Sequence, residues 1–145
     1  MQGGCTGFNI EATNIIVPLE RSVNVYAMGD ASSFCQGNTK GTDETLSRMR
    51  LKTYPERFDV WVSHKPPPSY PTFPYNGLVT VGQKPRYVIG RSLAETSEIP
   101  STWVEKIEMV DELWVPSTFL VNVFTNSGGT RVRSNAPPLL QSVID

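Results

Sequence analysis

Val110-Asp-Glu-Leu-Trp-Val-Pro-Ser-Thr-Phe119, running on through Leu120-Val-Asn-Val-Phe-Thr-Asn-Ser-Gly-Gly129, decides the fold of this chain. Leu113, Trp114 and Val115 make a compact apolar strand. Pro116-Ser117 ends it at a corner, where Ser117 can accept hydrogen bonds from the free N–H groups of a helix that starts next. Phe119, Leu120, Val123 and Phe124 then fall on one face at helical spacing. Gly128 stands just past the helix end, where positive φ is needed. A strand feeding straight into a helix is half of a βαβ unit and implies a parallel sheet.

Working outward, the same alternation recurs. Residues 101–109 read as a helix with a Thr102-x-x-Glu105 capping pattern. Residues 86–90 and 58–63 (FDVWVS) read as strands. Between them, HKPPPSYPTFPYNG is too proline-rich for a helix or a central strand and reads as a long exposed loop. Its two Pro-x-x-Pro patterns, at 68–71 and 71–74, are read as loop structure in preference to a ligand for a proline-binding domain. Residues 43–50 predict a short helix with Asp43 near its start, and 23–28 (VNVYAM) alternate as a strand. Residues 8–20 have helical periodicity, with Phe8, Ala12, Ile15, Ile16 and Leu19 toward one side. Pro18 predicts a kink or an early end there, because it removes a hydrogen bond. The order predicts an α/β fold, a Rossmann-like parallel sheet with helices on both faces. Residues 1–130 form the expected domain and 131–145 an irregular tail.

Composition narrows the function classes. At 145 residues the chain has the length of one domain with a proper core. A net charge of −1 gives no basic footprint for nucleic acid. Cys5 and Cys35 make neither a disulfide framework nor a metal spacing, so no metal site is expected. No signal peptide is read, and no apolar run approaches the roughly 20 residues that span a bilayer. The default is a cytoplasmic protein without a transmembrane segment; peripheral membrane contact stays open. Phosphate-loop and dinucleotide fingerprints are missing: GNTKGTD lacks the Gly-Lys-Ser/Thr ending.

In a parallel sheet, ligands sit beyond the carboxyl ends of the strands. The polar residues expected there are Asp30, His64, Arg91, Glu95 and Ser117, with Gly3 and Gly4 in a glycine-rich turn at 3–7. His64, the sole histidine, is the candidate catalytic group: a neutral imidazole there can hydrogen-bond a ligand hydroxyl or phosphate. Its plainer reading is a surface residue opening the proline loop. Arg91 offers a planar fork for an anion, with Glu95 holding it or a hydroxyl. The plainer reading of that pair is an i,i+4 ion pair. Gly3 and Gly4 can bring backbone N–H groups to a phosphate or another ligand, or make a simple turn. Asp30 can bind a hydroxyl or act as a turn carboxylate. Ser117 reads as a helix cap before a nucleophile, since no Gly-x-Ser-x-Gly elbow surrounds it. Trp61, Trp103 and Trp114 read as core.

Four segments carry a family resemblance. DELWVPSTFLVNVFTNSGG at 111–129 resembles the end of the N-terminal domain of retaining GT-B glycosyltransferases of the glycogen-synthase-like group. YVIGRSLAETSEIPSTWVEKIEMV at 87–110 resembles the segment before it, with Arg91, Glu95-Thr96 and a Pro-x-x-Trp helix start. DVWVSHKPP at 59–67 and GFNIEA at 7–12 also fit that domain. The resemblance covers most of residues 3–129. Met1-Gln-Gly-Gly4 resembles the glycine loop after the first strand, which leaves that strand missing, and TRVRSNAPPLLQSVID departs from the family pattern. The expectation is a domain truncated at both ends.

The resemblance implies the acceptor-side half of an enzyme that moves a hexose from a nucleotide sugar to a hydroxyl acceptor. The nucleotide sugar is a co-substrate, and no other cofactor is implied. In that family the second domain binds the donor and carries the main catalytic groups, so this chain is expected to be inactive alone. The alternatives are a non-catalytic remnant that binds a small ligand or a protein through the same cleft, and a different Rossmann-like nucleotide-binding enzyme sharing only the fold.

Overall fold

The computed structural model describes residues 14–28, 40–76, 80–81 and 83–134. Gly3, Gly4 and Asp30 lie outside the described residues, as does the first part of the helix expected at 8–20. The chain divides into two compact units, one drawn from Met1–Glu56 with Asn76–Val81 and the other from Arg57–Tyr75 with Gly82–Asp145.

The second unit holds a four-stranded sheet. Along the chain the strands are β1 (Val60–His64), β2 (Tyr75–Asn76), β3 (Thr80–Val81), β4 (Tyr87–Arg91), β5 (Glu112–Val115) and β6 (Val132–Ser134). The sheet order is β1-β4-β5-β6, and every pairing is parallel. The two-residue strands β2 and β3 make a separate small sheet. Helices α3 (Ser101–Ile107) and α4 (Thr118–Asn126) connect β4 to β5 and β5 to β6. The sheet is thus the α/β, Rossmann-like parallel arrangement read from the sequence, and the two helices that connect its strands share one of its faces. Residues 132–134, expected in an irregular tail, add a fourth strand. Val132 and Ser134 continue the alternation beside Leu113 and Val115, which extends the ladder by three pairs.

Register fixes the two faces, because side chains alternate along a strand. Trp61 and Ser63, Val88 and Gly90, Leu113 and Val115, and Val132 share one face. There Val88, Leu113 and Val115 pack with Ile107, Val110, Leu120, Val123 and Phe124. The strand order advances in one direction, so right-handed crossovers put both helices on this side. Val60, Val62 and His64, Ile89 and Arg91, Glu112 and Trp114, and Arg133 share the other face. Trp114 is therefore not in the core with Leu113 and Val115. It lies on the opposite face, half-buried, and its Nε1 donates to Glu112 Oε1 at 2.8 Å. Glu112 also accepts from Tyr87 Oη at 2.9 Å and meets Arg133 Nε at 3.2 Å. The hydrogen bond to this carboxylate holds the Tyr87 phenol above its ordinary pKa.

Helix α4 forms as its sequence dictates, with one exception. Leu120, Val123 and Phe124 are buried, but Phe119 is 61% exposed. It stands in the first turn of the helix. Gly128 takes φ 103°, and its N–H donates to Thr125 O at 3.0 Å while Gly129 N–H reaches Phe124 O at 2.8 Å. These two bonds are the Schellman closure of a helix. Helix α3 departs from the expected capping box. Pro100 occupies the N-cap position and makes no side-chain cap bond, so Thr102 is already inside the first turn. A capping hydroxyl must stand one residue outside the helix, on extended backbone.

The first unit contains a helical turn α1 (14–19) and the helix α2 (Lys40–Leu51). α1 ends directly after Pro18, as expected from its missing N–H. Leu46 and Met49 of α2 pack with Ala27, and Ile16, Val17 and Val25 lie against them. The strand expected at 23–28 does not form; residues 24–28 carry no regular structure. Side chains hold carbonyls that a ladder would use: Lys52 Nζ donates to Val25 O at 3.0 Å and Tyr54 Oη to Ala27 O at 3.1 Å. Arg48 bonds both oxygens of Glu20 and keeps its carboxyl below the usual range.

Candidate functional site

Four of the seven residues singled out in the sequence fall among the described ones, all in the second unit. His64 closes β1 and Arg91 closes β4, and the two are register partners on the same sheet face. Their juxtaposition follows from parallel pairing: strands that start in register bring their carboxyl ends together. His64 is half-buried.

Arg91 is completely buried, 0% exposed. Its Nη1 donates to Ser92 O at 2.6 Å and lies 3.5 Å from Trp114 O. Ser92 N–H in turn donates to Trp114 O at 3.1 Å, which ties the chain leaving β4 to the end of β5. The guanidinium thus sits where the sheet ends and shares that edge with backbone carbonyls. A buried cation with fixed donors can orient an anionic or hydroxyl oxygen without reorganising.

Glu95 is not on a helix with Arg91. Residues 92–94 have no regular structure and 95–98 form an exposed bend, so the i,i+4 spacing does not put the two side chains on one helical face. Ser117 is the N-cap of α4: its Oγ accepts from Leu120 N–H at 3.3 Å and its carbonyl from Val121 N–H at 3.1 Å. Ser117→Ala is expected to cost about 1 kcal/mol of stability through the lost cap. Urea unfolding reads it directly, and a midpoint identical to that of the unchanged chain would show that the cap is not needed.

The proline-rich stretch contributes more than its composition announces. It was expected to be exposed throughout, yet Pro67 and Tyr70 are buried. A 3-10 turn, Pro67–Ser69, packs on α3 and delivers Tyr70 into the core. Phe73 meets Trp61 edge to face at 5.3 Å. Proline suits this path because its fixed φ tolerates tight turns without donors. Tyr70 is 4% exposed, and its hydroxyl end packs directly against Gly90. A Cβ at position 90 would stand 2.6 Å from Tyr70 Oη and 2.7 Å from Cε2 and Cζ. Tyr70 Oη is buried and has no partner at full hydrogen-bond geometry, with the Ser92 side chain beside it. Burial raises its pKa strongly, opposed by the smaller effects of Ser92 and Arg91, so the phenol stays protonated. Ser63 and Ser92, both buried, complete the polar groups at this edge.

Sequence reasoning missed Tyr70, Ser63 and Ser92. One signal for Tyr70 was present: a glycine inside a strand, Gly90, marks a close approach by another group. Nothing local identified the group that approaches. Among the described residues, no cluster of three or more His, Cys, Asp or Glu could hold a metal ion, and no helix is long and apolar enough to cross a membrane. No protein-family model matches the chain, and neither the curated proteins nor the solved structures yield a significant match.

Proposed function

We propose that this chain is the acceptor-side domain of a nucleotide-sugar-dependent glycosyltransferase that transfers a hexose to a hydroxyl acceptor. The reading rests on the resemblance of residues 59–67 and 87–129 to that domain. The observation that carries it furthest is the fully buried Arg91 at the carboxyl end of β4, beside the end of β1 that bears His64. Arg91 is the orienting cation for the acceptor, and His64 the group that meets the acceptor hydroxyl or the departing phosphate. Glycosyl transfer needs the acceptor oxygen held close and in line and the leaving diphosphate stabilised. The residues that resemble this family supply the first requirement; the donor-binding groups belong to the domain facing it.

The test is a calorimetric titration of the full chain with glucose, myo-inositol, UDP-glucose and ADP-glucose, alongside an assay for released nucleoside diphosphate. Expected are saturable binding of a hexose or polyol, no binding of the nucleotide sugars, and no release. Binding of a nucleotide sugar without any hexose or polyol would overturn the acceptor-side assignment. Acceptor-dependent release would overturn the division of labour between two domains.

A further inference from the structure

We propose that a second copy of this chain docks on the outer edge of β1, antiparallel to it, with Val62 of the two copies opposed on a two-fold axis. The two four-stranded sheets then become one. This contact does not depend on the ligand reading above. Three observations lead there. First, among the described residues β1 has β4 on one side and no strand on the other. Tyr87 N–H donates to Asp59 O at 2.9 Å. In a parallel ladder Trp61 and Ser63 then turn their main-chain groups to β4, while Val60 and Val62 turn theirs outward. Outward N–H and C=O groups on an edge strand are a template for another strand.

Second, the edge is open and apolar. Val60 is 53% and Val62 47% exposed, and Val60 stands beside Tyr87, itself 39% exposed. Edge strands are commonly kept apart by a lysine, a proline or an inward charge. None of these stands at 60–63. Third, the charges at the two ends of the strand select the partner and the register. Exposed Asp59 precedes the valines and exposed Lys65 follows His64. An axis at Val62 sets Asp59 opposite the partner's Lys65, and Lys65 opposite the partner's Asp59. Opposite charges across a strand pair stabilise it, and like charges oppose it. Moving the axis to Trp61 would set Arg57 against the partner's Lys65. Asp59 also meets Arg86 Nε at 3.3 Å, but its side chain is 84% exposed and open to a second cation. A strand with one acid and one base at matching distances from its centre is complementary to itself, as a two-fold contact requires.

The experiment is cysteine cross-linking of the full chain under mild oxidation, with linked peptides identified by mass spectrometry, together with sedimentation equilibrium. The unchanged chain controls for Cys5 and Cys35. Residues opposed in a hydrogen-bonded pair stand about 5.5 Å apart at Cα, within reach of a disulfide. Val62→Cys is therefore expected to link to itself. Val60 lies opposite the partner's His64 and about 13 Å from the partner's Val60, so Val60→Cys is expected not to link. Asp59→Lys is expected to weaken the dimer roughly tenfold, and adding Lys65→Asp to restore it. The contact to Arg86 is lost in both variants, so the recovery reads the pair between copies alone. A monomer at every concentration would overturn the proposal. So would a Val60→Cys chain that links as readily as Val62→Cys, or a double variant no tighter than the single one.

Discussion

Arg91→Ala is expected to destabilise the chain by about 3–4 kcal/mol. The side chain is fully enclosed, so truncation leaves a cavity at the sheet edge in place of a long packed stem. It also strips the Ser92 carbonyl of its 2.6 Å partner. Against these losses stands one gain, the relief of holding a cation away from water. That gain is realised better by Arg91→Met, which fills much of the volume without charge and is expected to cost about half as much as alanine. The order Ala, then Met, then the unchanged chain in urea midpoints checks the argument. A loss below about 1 kcal/mol for alanine would mean that the guanidinium is not held as described. Both variants are expected to lose hexose binding, and a methionine variant that kept it would remove Arg91 from the site.

Gly90→Ala is the second large effect. The added methyl meets Tyr70 at 2.6 to 2.7 Å, well inside contact distance. Tyr70 cannot swing out cheaply, because its ring is built into the core beside α3. An expected cost of about 2–3 kcal/mol follows from forcing an atom into a filled site. Alanine gains a little over glycine in backbone entropy, but only about 0.5–1 kcal/mol, which does not reverse the sign. The clash predicts coupling. Combined with Tyr70→Ala, the Gly90→Ala cost is expected to fall by about 1–2 kcal/mol in a double-mutant cycle. Additive losses would show that the two positions do not touch.

Much of the second unit was legible in the sequence because its elements are locally self-consistent. Leu113, Val115, Leu120, Val123 and Phe124 obey the strand and helix periods, Ser117 caps and Gly128 stops, and the structure follows each signal. Misses arose where a distant partner decides. Residues 24–28 alternate like a strand, but Lys52 and Tyr54 claim carbonyls that a ladder would use. Thr102 fits a capping pattern that the helix start at Ser101 makes void. Trp114 looks like core by hydropathy, but its place between Leu113 and Val115 turns it to the other face, where its N–H meets Glu112. In the candidate site, parallel register was enough to bring His64 and Arg91 together. Tyr70 arrives by a turn whose path is set by packing on α3, which no spacing in the proline-rich stretch encodes.

The exposed valines of β1 bear on how this chain behaves in concentrated solution. Val60 is 53% and Val62 47% exposed, next to exposed Tyr87, on the outermost strand of the four-stranded sheet. No charged side chain falls between Val60 and Ser63. A strand of this kind accepts another strand as the protein concentration rises, because nothing on it repels a newcomer. Association through this strand is therefore the expected behaviour at high protein concentration, read by light scattering across a dilution series, and dilute samples are the ones in which ligand affinity is expected to report a single species.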